Sequence, residues 1–247
     1  APTAATADVT TIKQWIIAQR LEKKTYKAVL PNCAADNEGI INFTTTGIVC
    51  GDVAYTTTEY TARIAGVVAG QPNDRSITYA KLGDITEITP IENPDEAIDK
   101  GELIIIFDGE KHKIGRGVNS LQSVTGNKTE DWQKIKVIDG MDIIVGDIRS
   151  TFQDKYVGLG GSYDNKCLFL TAVSQYLEGL ARAGVLYDAY DNHAEFDIIA
   201  IAEHVGPDAQ SMTEDEVKHA NTGSWIFLLA FVKFEDAIED LKLLIHI

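Results

Sequence analysis

The sequence predicts a mixed protein, α/β in its first part and α+β in the remainder. Three observations carry this. Helical and strand periodicities alternate early in the chain, the clearest hairpin signal stands near its middle, and long amphipathic helices precede two apolar extended segments at its end. We place the boundary near Ile91, giving portions 1–91 and 92–247. The 247 residues are 45% hydrophobic and 24% charged, enough to bury ordinary cores without disulfides or metals.

In the first portion, Ile12, Trp15, Ile16 and Gln19 recur at helical spacing after Asp8 and Thr10, which suit N-caps. Tyr26–Leu30 and Ile40–Phe43 read as strands, separated by Pro31, Asn32 and polar residues. A second helix is expected from Glu59 to Ala69. Its Ala62, Ala65, Gly66 and Ala69 are small enough to admit a neighbouring element closely. Residues 70–92, with Pro72 and Pro90, read as irregular.

The second portion opens on Asn93-Pro94-Asp95-Glu96, a cap, a first-position proline and an acidic first turn, with Gly101 as the stop. Glu102–Phe107 is the outgoing strand of a hairpin, Asp108-Gly109 its two-residue turn, and Lys111–Val118 the return. Trp132, Ile135, Ile138, Met141, Val145, Ile148, Phe152 and Tyr156 then trace one long amphipathic helix. Gly140 and Gly146 each cost it ~1 kcal/mol against alanine. Asp164 is expected to cap a helix reaching Ala183, with Gly184 in the left-handed position beyond it. Phe196–Ile201 reads as a strand, Thr213 to Glu216 has capping-box spacing, and Trp225–Phe234 reads as a buried strand. At the end, Leu241, Leu243, Ile245 and Ile247 alternate with Lys242 and His246. This period of two predicts a strand with one apolar face. Such a strand either pairs within its own chain or extends another chain's sheet.

The charge balance, 37 acidic against 22 basic residues for a net −15, argues against a nucleic-acid-binding surface. No apolar run approaches the ~20 residues that span a bilayer, so no membrane insertion is expected. Cys33, Cys50 and Cys167 are odd in number and form no CxxC, which fits packed thiols in a reducing cytoplasm. Gly158-Leu159-Gly160-Gly161-Ser162 lacks the Gly-Lys-Ser/Thr ending of a phosphate loop, and Lys166 comes too late to supply it. A connection between helices is the better reading. Gly115-Arg116-Gly117 lacks the rest of a dinucleotide fingerprint and marks a bulge or a close backbone contact. Asp191, His193, Glu195 and Asp197 alternate, yet one imidazole among carboxylates fits a solvated polar face better than a metal site. His204 and His219 lack metal-ligand spacing, and no GxSxG elbow occurs. No catalytic, cofactor or metal residue is therefore assigned. A small-molecule enzyme on an α/β scaffold stays open as an alternative, to be supported by a phosphate or nucleotide near Gly158–Ser162.

Five stretches taken in order resemble the tail sheath proteins of contractile-tailed phages and phage-tail-like bacteriocins, in the form found in Gram-positive hosts. They are Glu59–Gly70, Gly115–Leu121, Asp147–Phe152, Ser162–Cys167 and Val232–Asp240. Each is weak alone, and the ordered set is specific. The resemblance implies part of an α/β sheath domain followed by a mixed α+β C-terminal sheath domain that ends in an assembly strand. Relatives carry a sizeable N-terminal portion with an extended arm, so the chain is expected to begin part-way through the first domain. Ile238 stands where many relatives have methionine, a change that conserves volume.

The resemblance further implies a structural subunit that stacks helically around a rigid tube. A baseplate signal then triggers contraction, which drives the tube through the target envelope without nucleotide hydrolysis. Its partners would be further copies of itself, the inner tail tube protein, and the baseplate and tail terminator proteins. Its place would be the virion tail or a bacteriocin particle, assembled in the host bacterial cytoplasm. A bacteriocin sheath or a related contractile injection machine is the neighbouring reading. The inter-subunit strand would be Leu241, Lys242, Leu243, Leu244, Ile245, His246 and Ile247, and acidic helices of the C-terminal domain would face the tube.

Overall fold

Helix α1 (Thr6–Leu21) opens the described chain. It starts ahead of both expected caps, so Asp8 lies in the first turn, where the helix dipole favours an acid, and Thr10 lies inside the helix. The computed structural model describes residues 6–126 and 128–245. They divide into two compact units: one is the chain up to Asp142 with the segment from Ala237 onward, the other Ile143–Asp236. The boundary expected near Ile91 falls inside the first unit, because strand pairing joins residues on both sides of it.

That pairing is a parallel sheet of β1 (Ala28–Pro31), β2 (Ile40–Phe43) and β5 (Glu102–Leu103), ordered β1-β2-β5. Asn32 and Asp36 take left-handed backbone conformations between the first two strands, as Asn and Asp tolerate. A hairpin that the sequence reading missed follows, β3 (Ile48–Cys50) with β4 (Val53–Tyr55). Gly51, at φ +60, opens its two-residue loop. Helix α2 (Thr57–Gly70) begins at a full capping box between Thr56 and Glu59. Ala62, Ala65, Gly66 and Ala69 are exposed, so among the described residues their small face meets no neighbouring element. Helix α3 (Pro94–Asp99) ends at Gly101, whose φ is +73.

The expected hairpin is shorter than the sequence suggests. Only β6 (Ile105–Phe107) and β7 (His112–Ile114) pair antiparallel, with Phe107 opposite His112. The turn is a four-residue loop, because the Asp108 carboxylate accepts the N–H groups of Glu110 and Lys111 and holds the chain open. After β7, residues 115–121 form a strap rather than a strand. Gly115 N–H donates to the Ile104 carbonyl, Gly117 N–H to Thr78 Oγ1, Asn119 N–H to the Gln133 carbonyl and Ser120 N–H to the Ile40 carbonyl. Gly117 packs closely here: a Cβ would lie 3.0 Å from Ile77 Cγ1 and 3.1 Å from Ser76 Oγ.

Ile41, Phe43, Ile48, Ile64, Leu82, Leu103, Ile105 and Ile114 fill the first unit's core. A part-buried charge network closes its side. Arg20 grips Asp142 with both terminal nitrogens, at 3.0 and 3.2 Å, and reaches Glu38 through Nε at 3.1 Å. Lys128 takes the other Glu38 oxygen at 3.0 Å, and Lys27 bridges Asp142 and Asp139. Gly39 leaves room for this, since a Cβ there would strike the Arg20 side chain. Burial works against the charge on Glu38, but hydrogen bonds from its own backbone N–H, Lys128 and Arg20 hold its carboxyl below the usual range. Burial pushes Asp139 the other way, upward, against the pull of Lys27.

Helix α4 (Ile135–Lys155) follows a short 3₁₀ turn, and its residues from Ile143 belong to the second unit. Helix α5 (Tyr163–Arg182) is capped by Ser162, which accepts Asn165 N–H; the expected cap, Asp164, is already helical. Its far end closes as predicted. Gly184, at φ +74, donates to the Ala181 carbonyl and Val185 to that of Leu180. The strand expected over Phe196–Ile201 is instead β8 (His193–Phe196) followed by α6 (Ile198–Val205). Asp197 decides this by accepting Ala200 N–H as an N-cap. Helix α7 (Glu214–Lys218) has the predicted capping box. Of the expected Trp225–Phe234 strand only β9 (Leu228–Phe231) forms, antiparallel to β8, and it is half-buried to exposed rather than buried. Phe169, Val173, Leu177 and Leu186 centre this unit's core, ringed by partly buried Phe152, Tyr156 and Phe234.

Candidate assembly surface

Beyond Asp240 the chain turns outward. Leu241, Leu243, Leu244 and Ile245 are 71–87% exposed and belong to no strand, so this segment finds no ladder among the described residues. Lys242 shares the exposure. His246 and Ile247, the rest of the expected inter-subunit strand, lie outside the described residues. Four large apolar side chains in water are costly, since burying each contributes roughly 1.5–3 kcal/mol.

Immediately before this segment, the chain is held down by residues that the sequence reading did not pair. The Glu239 carboxylate accepts hydrogen bonds from the Ser76 and Thr78 hydroxyls, and Arg116 Nε stands 3.5 Å from its other oxygen. Arg116 Nη2 reaches both Asp240 oxygens at 2.7 Å. That bond to Asp240 raises the Arg116 pKa. The signal was present in outline: Arg116 and Glu239-Asp240 belong to two of the stretches singled out above.

Within the second unit, β8 and β9 form a two-stranded sheet to which no third strand is bonded among the described residues. Leu229 and Phe231 on β9 are exposed. On β8 the Ala194 N–H and C=O bond the Ser174 hydroxyl, so the edge open to another strand is that of β9.

The candidates for chemistry resolve into packing. Gly161 lies where a Cβ would come within 2.6 Å of the Gly223 carbonyl oxygen, and Asn165 Nδ2 bonds the Gly160 carbonyl. The glycine-rich stretch is thus a close backbone crossing. Lys166 is buried at 8% exposure, and its Nζ bonds Thr222 Oγ1 beside a cavity of about 260 Å³. Burial lowers its pKa. His193 Nδ1 lies 2.9 Å from the Asp191 carbonyl, and Asp197 is occupied by its cap. Among the described residues no three His, Cys, Asp or Glu side chains gather as a metal cluster. The three cysteines are free and buried or half-buried, and burial raises the Cys33 and Cys50 thiols. No helix is long and apolar enough to cross a membrane among the described residues.

Residues 2–120 match the phage tail sheath protein central domain, and residues 127–214 match the phage tail sheath C-terminal domain. A tail sheath protein of Clostridium phage phiCD119 is 40% identical over 249 residues, covering 98% of this chain and 69% of that protein. The chain belongs to the phage tail sheath family. Two solved sheath tail proteins share its fold. That of Listeria innocua superposes at TM-score 0.70 with 20% identity, over 96% of this chain and 56% of that one. That of Desulfitobacterium hafniense does so at TM-score 0.71 with 23% identity, over 79% and 48%. The chain therefore spans about half the length of these two sheath structures.

Proposed function

We propose that this chain forms part of a sheath subunit that polymerises helically around an inner tube and contracts to drive the tube through a target envelope. The partners are further copies of the subunit, the tube protein, and the baseplate and terminator proteins of a phage tail. A bacteriocin or another contractile injection particle is the alternative setting. A helical array needs heterologous contacts that do not close into a ring. One observation carries the reading: an apolar, alternating segment from Leu241 leaves the fold fully exposed and unladdered. Leu241–Ile247 is then a strand lent to a neighbouring copy, and the β8–β9 sheet, with its open edge and exposed Leu229 and Phe231, is the recipient. A main-chain ladder can hold two subunits together while the connections on either side bend.

Deleting Leu241–Ile247 from the sheath protein that carries this chain is expected to abolish striated tubes in electron micrographs while the subunit still unfolds cooperatively. Normal sheaths from the deleted protein would overturn the lent strand. Salt-insensitive binding of sheath to tube would count against acidic helices facing the tube.

A further inference from the structure

We infer that Ser76, Thr78 and Arg116 form an anchor for Glu239 and Asp240 that fixes the point at which the C-terminal strand leaves the fold. This rests on reading Leu241–Ile247 as a lent strand, and adds what sets its origin and register.

The pocket is built rather than incidental. Glu239 is 12% exposed at its side chain, with both hydroxyls on one oxygen and the guanidinium on the other. Thr78 Oγ1 also accepts Gly117 N–H at 2.9 Å, so the hydroxyl pair is tied to the strap that carries Arg116. Charge-assisted bonds of this kind are about twice as strong as neutral ones. Glu239 is the point held down in an otherwise exposed stretch: its side chain is 12% exposed, whereas Ile238 before it and Leu241 after it are 100% and 87% exposed.

Length alone makes the anchor's role specific. From Leu241, seven extended residues reach about 23 Å, and from Ala237 eleven reach about 36 Å. Effective concentration falls only as roughly the −3/2 power of tether length, so releasing the anchor changes it by about twofold. Register is more sensitive. A slip of one residue turns the Leu241, Leu243 and Ile245 face away from the acceptor sheet. The anchor therefore selects which residues are lent more than how tightly they bind.

The test is ¹⁵N relaxation on this chain, with Glu239→Gln and the double substitution Ser76→Ala/Thr78→Val. In the unsubstituted chain, residues 238–240 should show order parameters near ~0.8 and residues 241–245 below ~0.6. Each variant should lower the anchored population roughly tenfold or more and bring 238–240 down to the values of the free segment. Residues 238–240 already as mobile as 241–245, or unmoved in both variants, would overturn the anchor. The two readings separate cleanly. Unmoved order in the variants, with failed assembly of the 241–247 deletion, sinks the anchor alone. Release in the variants with normal assembly of the deletion sinks the lent strand, and the anchor's role with it.

Discussion

The two units of this sheath chain are held together by different means. The first closes an aliphatic core around Phe43, Ile64, Leu103 and Ile114 and fastens it with long-range polar stitches: the strap at 115–121, the Arg20 network and the Glu239 anchor. The second has such bonds too, Lys166 to Thr222 and Lys233 N–H to Asn192 Oδ1, but leans also on local devices, the Ser162, Asp197 and Thr213 caps and the Gly184 closure, around a core ringed by partly exposed aromatics. The contrast teaches where each unit is vulnerable. Non-local bonds fail together when one member is removed, whereas local caps fail singly. It also separates the proposed roles, the first unit holding the segment before Leu241 and the second presenting the two-stranded β8–β9 sheet.

The largest expected effect tests the cores. Phe43→Ala should cost about 3–5 kcal/mol by denaturant unfolding, because its fully closed surroundings leave a cavity. Phe169→Ala should cost about 3 kcal/mol, since Phe152 and Tyr156, at ring distances of 5.2 and 4.8 Å, are partly exposed and can relax inward. A larger loss at Phe169 than at Phe43 would break the distinction between a closed and an adaptable core.

Next comes the charge network. Arg20→Ala takes the shared partner from Glu38 and Asp142 but leaves each a lysine, so it should cost about 1–3 kcal/mol, less than Phe43→Ala. The network also gives the first unit a pH dependence. Glu38 has a depressed folded pKa, so its contribution is complete above the unfolded value near 4.3 and is lost as pH falls through the folded value. Asp84 behaves alike: burial opposes, but hydrogen bonds from Arg63, its own backbone and Tyr60 depress its pKa. Asp139, with its raised pKa, contributes in the opposite sense, below its unfolded value near 3.9, and blunts the slope. Stability should therefore fall as pH drops from about 5 toward 3, and less steeply in Glu38→Gln. An identical slope in that variant would remove Glu38 from the account.

What the sequence revealed follows the same division. Elements specified locally were legible: Ile40–Phe43, the Thr213 capping box and the Gly184 closure stand where the pattern placed them. The misreadings were contests between periodicity and a side-chain cap. The Ile198–Ile201 run looks like a strand, and the Asp197 carboxylate made it a helix. Asp108 opened the expected tight turn in the same way. Non-local pairings were out of reach. Nothing near Ile91 announces that β5 will pair with β2, and Arg116 meets Asp240 across 124 positions. The ordered stretches gave the family, but not which of them touch. At the candidate surface, alternation marked the segment from Leu241, and its anchor was invisible until the fold brought Ser76, Thr78 and Arg116 together.

The smallest expected effect is the one in which the two units should not differ. Gly66 in α2 and Gly179 in α5 sit inside helices, and an added Cβ at either meets no atom within 4 Å. Neither position has a positive φ, so alanine can adopt the native backbone. Replacing glycine by alanine there acts mainly on the unfolded chain, by removing conformations that folding must otherwise forgo. Each substitution should stabilise by about 0.4–1 kcal/mol in denaturant melts, Gly66→Ala in the first unit as much as Gly179→Ala in the second. Equal gains would mean that the units differ in their tertiary stitches and not in their helices. A loss at Gly66→Ala alone would instead mark the small face of α2 as already engaged within the free chain.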